Sequence, residues 1–198
     1  MSPLRRWLQQ LREYEDIAEV GEIARRYFAM NAFDGILTMI GVLVGNYSAG
    51  VESARVVIST GLATSMAIGV SGLWGAYFTE SAERKRDLDD LESYTLTDLN
   101  ETKIGRASRA AAIVVSLVDG FAPFLAALVV LSPFFLTSLW GNIYHSYYLS
   151  LVVALGALFA LGAFLGAISR ENMALMGVKM IGAGLLAMVL GYLLRLVE

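Results

Sequence analysis

The sequence predicts an all-α integral membrane protein with five transmembrane helices. Hydrophobic residues make up 57% of its 198 residues, above the roughly 45–50% that is usual in soluble domains. Charged residues account for only 17%, and most lie in residues 1 to 26 and 80 to 109. The long uncharged stretches between these segments exclude a water-soluble globule and predict a chain that crosses the bilayer several times.

Residues 1 to 27 predict a cytoplasmic, amphipathic N-terminal segment. Arginines and acids alternate along it, so it lacks the apolar core of a signal peptide. Leu4, Leu8 and Leu11 recur at helical spacing between the charges. We expect a helix that either lies on the membrane surface or packs on its own protein. The transmembrane domain then comprises residues 28 to 196.

Five stretches reach the roughly 20 apolar residues that a bilayer-spanning helix needs. They are residues 28 to 48, 55 to 79, 110 to 136, 147 to 168 and 173 to 194. Lysine and arginine concentrate before the first span and between the second and third. The positive-inside rule therefore predicts a cell-membrane protein with its N-terminus in the cytoplasm and its C-terminus outside.

The third span contains two prolines, Pro123 and Pro133. Proline removes a backbone donor, so the helix is expected to break there or, at Pro123, merely to kink. A cluster of Trp140, Tyr144, Tyr147 and Tyr148 beyond this span predicts an outer aromatic belt.

Two aspartates inside apolar stretches are the most informative residues. A carboxylate near the bilayer centre costs at least about 2.5–3.5 kcal/mol on insertion scales, so Asp34 and Asp119 need a reason to be there. Each is followed by glycine and an apolar run. This echo predicts a parallel two-helix repeat, spans one and two repeated as three and four, with a fifth helix added.

In such a repeat the two aspartates would face one central site, and paired carboxylates suit a divalent cation. Oxygen ligands would come from Thr38 and Asn31, and softer donors from Met39 or Met66. The alternative is that each aspartate accepts a hydrogen bond from a neighbouring helix and fixes packing.

Lys179 is a lone cation in the fifth span. We expect its ammonium either to snorkel to the cytoplasmic surface or to pair with an aspartate. In the paired case, a cation arriving at the aspartate would release the lysine and couple ion binding to charge movement.

Acids in the loop of residues 80 to 109 follow one helical stripe. The stripe consists of Glu80, Glu83, Asp87 and Asp90. If the second span continues as a helix into water, these side chains share a face and form a cation entrance. Salt bridges with Arg84 and Arg86 on a solvated helix explain the same pattern without a function.

Other classes of site find little support. The chain has no cysteine and one histidine, which argues against dedicated zinc or copper centres and excludes disulfides. No basic tract offers a nucleic-acid footprint. We expect no resident cofactor.

The residues resemble the vacuolar iron transporter family of five-helix divalent-metal transporters, in a divergent prokaryotic-type branch. Asp34-Gly35-Ile36-Leu37-Thr38 matches the family's first-helix Asp-Gly-x-x-Thr. Gly61-Leu62-Ala63, Ser71 and Gly75-Ala76-Tyr77 follow in the second span, and Pro133 lies late in the third. The likeness covers residues 27 to 196.

The resemblance implies a homodimer in which Asp34 lines a path for Fe²⁺ or Mn²⁺, exchanged for protons. Two positions depart from the family. Its second-helix glutamate falls on Thr64 and its methionine ligand on Gly72. Asp119 would then supply the missing acid from the third span.

The sequence therefore predicts a non-enzymatic membrane carrier for divalent metal ions, whose partners are the bilayer, the ion and protons. Two rivals remain. One is a metal-dependent membrane enzyme acting on lipid head groups, and that chemistry usually clusters several aspartates in one motif. The other is a non-transporting scaffold in which the charges only direct assembly.

Overall fold

The computed structural model describes residues 20 to 194, and this part of the chain is helical without any strand. The helices are α1 (Val20–Ser48), α2 (Ala54–Thr95), α3 (Lys103–Phe135), α4 (Thr137–Trp140), α5 (Ile143–Ser169) and α6 (Met173–Leu194). Five stretches of this part are long and apolar enough to cross a bilayer. The predicted all-α, five-span membrane fold is confirmed.

The helices differ from the predicted spans mainly at their ends. α2 runs through the apolar stretch and on to Thr95, so the acidic segment beyond residue 79 is helical as expected. α1 begins by Val20 and continues through the expected domain boundary at residue 27. The rest of the predicted amphipathic segment, residues 1 to 19, lies outside the described residues.

Two compact units divide the chain. Unit 1 holds the described residues up to Phe28 together with Val70–Phe121, and unit 2 holds Ala29–Gly69 and the described residues from Ala122 onward. α1, α2 and α3 are each divided between the units, with one segment in unit 1 and another in unit 2.

Unit 2 contains the large apolar core. Its fully buried side chains come from α1, α2, α3 and α5, and they include Met39, Val57, Leu131 and Leu158. α5 and α6 approach closely because glycines face each other: a Cβ at Gly162 would lie 2.5 Å from the carbonyl oxygen of Met176. Such contacts between small residues are the usual way for helices to pack inside a bilayer.

The prolines do not break the third span, because α3 is continuous from Lys103 to Phe135. The prediction of a break is therefore wrong. Pro133 has no N–H for the carbonyl of Val129 four residues earlier, and the hydroxyl of Ser132 donates to that carbonyl at 2.7 Å instead. Pro123 packs on α1, where a Cβ at Gly35 would lie 2.6 Å from its Cα.

The predicted aromatic belt holds only in part. Tyr147 is 1% exposed, and its hydroxyl donates to the carbonyl of Val51 at 2.9 Å. This residue therefore belongs to the core of unit 2 rather than to a belt. Tyr144 and Tyr148 are exposed and contact Tyr47, and the side chain of Trp140 lies outside the description.

Unit 1 contains a helical hairpin made by the second half of α2 and the first half of α3. Small side chains of α3, including Ala107, Ala111 and Ala112, are buried along one side. The connection between the two helices is tied to α2 because Glu92 accepts hydrogen bonds from the backbone N–H of Leu99, at 2.7 Å, and from the side-chain amide of Asn100, at 3.1 Å.

Candidate functional site

Asp34 lies on the exposed side of α1, inside an apolar stretch that is a candidate membrane span. It forms no hydrogen bond or ion pair with the residues that the structure describes. Its neighbour Gly35 faces inward and is held against the backbone of Pro123. This close contact fixes the rotation of α1 and therefore turns the Asp34 carboxylate outward within unit 2.

Other polar and small residues share the Asp34 face. Asn31 and Thr38 lie one turn before and after it, and both are half-buried. Asn31 has an interaction within the chain. Gly41 and Gly45 continue the same face, and no described atom lies within 4 Å of a Cβ built at either position. We call the surface of Asn31, Asp34, Thr38, Gly41 and Gly45 the Asp34 face.

The two predicted methionine donors lie elsewhere. Met39 is fully buried in the core of unit 2, roughly 140° around α1 from Asp34 at 100° per residue. This placement argues against Met39 as a ligand at the Asp34 face. Met66 is 54% exposed on α2.

Asp119 has the opposite environment from Asp34. It lies on α3 in unit 1 and is 7% exposed, and it interacts with other residues of the chain. Its carboxylate fits against Gly72 of α2, where a Cβ would lie 2.9 Å from Oδ2 and 3.2 Å from the backbone oxygen of Asp119. The missing side chain at position 72 leaves the space that this carboxylate uses.

This pairing involves a position that the sequence resemblance singled out. Gly72, which the resemblance aligns with a methionine ligand, leaves space, and an acid of the neighbouring helix fills that space. Sequence reasoning named both residues without placing them together. The other departure, Thr64, donates its hydroxyl to the carbonyl of Thr60 on its own helix at 2.8 Å.

The predicted pairing of the two aspartates around one ion stays a prediction, since Asp34 belongs to unit 2 and Asp119 to unit 1. Among residues 20 to 194, no group of three Asp, Glu, His or Cys side chains is arranged to hold a metal ion.

In the acidic stripe, Glu80 contacts two other side chains, and the remaining three acids are exposed. Glu80 accepts a hydrogen bond from the Tyr27 hydroxyl at 2.9 Å and pairs with Arg84, whose Nε lies 3.1 Å from Oε2. The side chains of Glu80 and Arg84 are each 14% exposed. The sequence predicted the salt bridge with Arg84 but not the contact with Tyr27, because Tyr27 and Glu80 are far apart in the chain.

The remaining acids of the stripe are open to solvent. Glu83, Asp87 and Asp90 are exposed on α2, and their carboxylates form no hydrogen bond or ion pair within the described residues. They are therefore the members of the stripe that are accessible to a cation.

Lys179 is exposed on α6, and its Nζ lies 4.0 Å from the sulfur of Met176. It pairs with no carboxylate in the part of the chain that is described. The predicted aspartate pairing is not found. Gly177 faces inward against the ring of Phe159 on α5. Lys179 lies on another side of α6, and that side is exposed. This position favours the snorkelling alternative.

Comparison with known proteins supplies one relative and no family. No protein-family profile matches the chain. An uncharacterized protein of the archaeon Methanocaldococcus jannaschii is 29% identical over 178 residues, which cover 88% of this chain and 90% of the relative. The likeness therefore extends over nearly the full length of both proteins.

Proposed function

We propose that the protein is a membrane carrier for divalent metal ions and that Asp34 is the central ligand on the ion path. The observation that carries this proposal is an exposed carboxylate, without a partner among the described residues, inside an apolar helix. A charged side chain facing lipid near the bilayer centre is expensive, and such residues normally face a water-filled path or another protein surface.

The donors next to Asp34 suit a hard or borderline cation. A carboxylate with the amide oxygen of Asn31 and the hydroxyl of Thr38 offers oxygen ligands, which Mn²⁺ and related divalent ions accept. Metal ligands must be deprotonated, so a metal ion and protons compete for a carboxylate ligand, and the proposal therefore includes proton coupling.

A homodimer would complete this site. In a two-fold interface the same surface meets its own copy, so a dimer formed through the Asp34 face would place two Asp34 carboxylates across the axis. Gly41 and Gly45 leave room for a close approach of two α1 helices. The metal would neutralise the two negative charges that otherwise repel each other.

For Asp119 we infer a packing role rather than a ligand role. Its carboxylate is buried against Gly72, and burial of this kind requires partners within the protein. This is the alternative that the sequence left open for each aspartate.

The orientation follows from charge. Six lysines and arginines lie between the second and third spans, which supports a cytoplasmic α2–α3 connection in the cell membrane. Cysteines introduced at Tyr94 and Asn142, both exposed, should react oppositely with an impermeant thiol reagent applied to whole cells. Labelling of Y94C from outside would overturn this topology.

Uptake of Fe²⁺ or Mn²⁺ into proteoliposomes tests the carrier proposal. Asp34→Asn should abolish uptake while leaving the melting temperature near that of the wild type, because the exposed carboxylate forms no hydrogen bond within the described chain. Glu101→Gln, which removes an exposed charge outside the spans, is the matched control. Uptake by D34N at the wild-type rate would remove Asp34 from the path.

Metal binding without flux would point to one of the rival functions. If purified wild-type protein binds Mn²⁺ through Asp34 but moves none, the enzyme alternative gains support. If it binds no divalent metal, the carrier and the metal-dependent enzyme both fail, and the scaffold alternative remains.

A further inference from the structure

A cavity of about 240 Å³ lies within unit 1, between α2, the α2–α3 connection and the start of α3. Its polar lining includes Arg84, Lys85, Arg109, Asn100, Ser81 and Ser108. None of the residues that line it is acidic. A water molecule takes up roughly 30 Å³ in the liquid, so the cavity has room for a small polar group.

The charge of this cavity is not balanced by the residues that the structure describes. Arg84 is paired with Glu80 at 3.1 Å. Lys85 and Arg109 are exposed and form no hydrogen bond or ion pair with any residue that the structure describes. Two cations from two different helices therefore face one cavity without a counter-ion from the described chain, which suits an anionic group such as a phosphate.

The side of the cavity formed by the α2–α3 connection is fixed by hydrogen bonds and close packing. Asn100 is fixed by hydrogen bonds from its amide to Glu92, at 3.1 Å, and to Asp98, at 3.1 Å. Gly105 lies so close to the connection that a Cβ would be 2.6 Å from the carbonyl oxygen of Asn100. The hydroxyls of Ser81 and Ser108 make no hydrogen bond within the described residues and are able to donate to a ligand.

The cavity also lies where the apolar stretches end. Tyr77 and Ala112 line one end of it and belong to the apolar parts of α2 and α3, whereas Arg84 and Arg109 lie beyond those parts. In a bilayer this is the level of the phospholipid head groups. Basic cavities between membrane helices at this level bind acidic lipid head groups.

We propose that this cavity binds the phosphate of an acidic phospholipid, held by Lys85 and Arg109. The chemistry recognised is a phosphate monoester or diester with an attached glycerol, and a soluble phosphate ester shares it. The apolar lining contributed by Tyr77 and Ala112, which belong to the membrane-spanning parts of α2 and α3, favours the lipid as the source. This site is independent of Asp34 and of the proposed metal transport.

Native mass spectrometry of the full chain in neutral detergent, titrated with phosphatidylglycerol or with phosphatidylcholine of the same acyl chains, tests the proposal. We expect preferential binding of phosphatidylglycerol. Each of the two basic residues that hold the phosphate is expected to contribute about fivefold to the affinity, so Lys85→Gln with Arg109→Gln should weaken binding about 25-fold.

The matched control is Arg86→Gln with Arg106→Gln. These residues lie on the same two helices, one and three positions away, and do not line the cavity. The control lowers the net charge equally and should retain most of the binding. The charge-preserving variant Lys85→Arg with Arg109→Lys should also bind, because both positive charges are kept.

Glycerol 3-phosphate distinguishes the two sources. If it displaces the lipid at millimolar concentration and raises the melting temperature of the wild type but not of the Lys85→Gln, Arg109→Gln variant, the site takes a soluble phosphate ester and the lipid assignment is wrong. Equal losses in both double variants, or equal binding of the two lipids, would overturn the site altogether.

Discussion

Asp34-Gly35 on α1 and Asp119-Gly120 on α3 are the same dipeptide in two different environments. The Asp34 side chain is exposed and makes no hydrogen bond or ion pair in the described chain, whereas the Asp119 side chain is buried against Gly72. An acid inside an apolar helix is therefore informative about function only after its surroundings are known. The exposed acid is available to an external ion, and the buried acid belongs to the packing.

A second contrast is in the glycines beside these acids. The shortest contacts of Gly35 are with backbone atoms of Pro123, at 2.6 and 2.7 Å, whereas the shortest contact of Gly72 is with the side-chain carboxylate of Asp119, at 2.9 Å. Substitutions at these two glycines should therefore differ in cost, and this difference gives the clearest tests.

The largest effect on stability is expected for Gly35→Ala. Its Cβ would lie 2.6 Å from Cα and 2.7 Å from the backbone oxygen of Pro123, so α1 must move away from α3. Overpacking of this kind costs about 1–3 kcal/mol or more. The melting temperature in detergent should fall strongly, whereas Gly156→Ala, with no described atom within 4 Å, should change it little.

Asp119→Leu should come next, because it replaces a buried carboxylate that interacts within unit 1 by a larger apolar group. We expect a loss of about 1–3 kcal/mol from broken interactions and strain. Asp119→Asn keeps the shape and should be milder. A D119N protein that melts normally but transports no metal would contradict the packing role and restore Asp119 as a ligand.

Gly72→Ala tests the pair directly, and we expect a smaller cost than at Gly35. The new Cβ meets Oδ2 at 2.9 Å and the backbone oxygen of Asp119 at 3.2 Å. Oδ2 can rotate away, and the backbone contact requires a shift of only a few tenths of an ångström. In the double variant Gly72→Ala with Asp119→Ala, the second substitution removes the shorter of these two contacts, so the two losses of melting temperature should not add fully. Additive losses would show that Gly72 and Asp119 are not coupled. Gly75→Ala is the control, since no described atom lies within 4 Å.

The acidic stripe on α2 offers the same contrast between exposed and contacted acids, and the expected change is a few-fold in the half-saturating metal concentration. Neutralising Glu83, Asp87 and Asp90 together should raise the half-saturating metal concentration and leave the maximal rate unchanged, because these exposed acids gather cations only at the entrance. Added salt should mimic the change, since it screens exposed charges. Glu80→Gln should instead lower the melting temperature, because it weakens the contacts with Tyr27 and Arg84. An unchanged half-saturation in the triple variant would make the stripe a solvated face.

The smallest effect concerns Asp98 in the α2–α3 connection. The backbone N–H of Asn100, and then its side-chain amide, hold the pKa of Asp98 below its usual value. A carboxylate with a lowered pKa contributes stability above its ordinary pKa and loses it as the pH falls through the lowered value. The hydrogen-exchange protection factors of residues 96 to 102, corrected for the intrinsic pH dependence of amide exchange, should therefore fall only on strong acidification, and Asp98→Asn should abolish this pH dependence. An unchanged profile in D98N would assign it to another acid.

The sequence determined the class of the protein by itself. Apolar stretches long enough to cross a bilayer must be helical, because helices satisfy their own backbone hydrogen bonds in lipid. The number of spans, the helical extension of α2 beyond residue 79 and the Glu80–Arg84 pair follow from such local rules, since residues four apart on a helix are neighbours. These predictions need no knowledge of which helix packs on which.

Only the tertiary structure decided which side of each helix faces inward. Periodicity is weak in these spans because lipid and core are both apolar, so the pattern does not separate the buried Asp119 and Met39 from the exposed Asp34. Close backbone contacts set the rotation instead: Gly35 on Pro123 turns Asp34 outward, and Gly72 makes room for Asp119. The hydroxyl of Ser132 likewise satisfies the carbonyl of Val129 that Pro133 leaves without a backbone N–H, and α3 continues through this point. The cavity lined by Lys85 and Arg109 exists only because α2 and α3 fold back on each other.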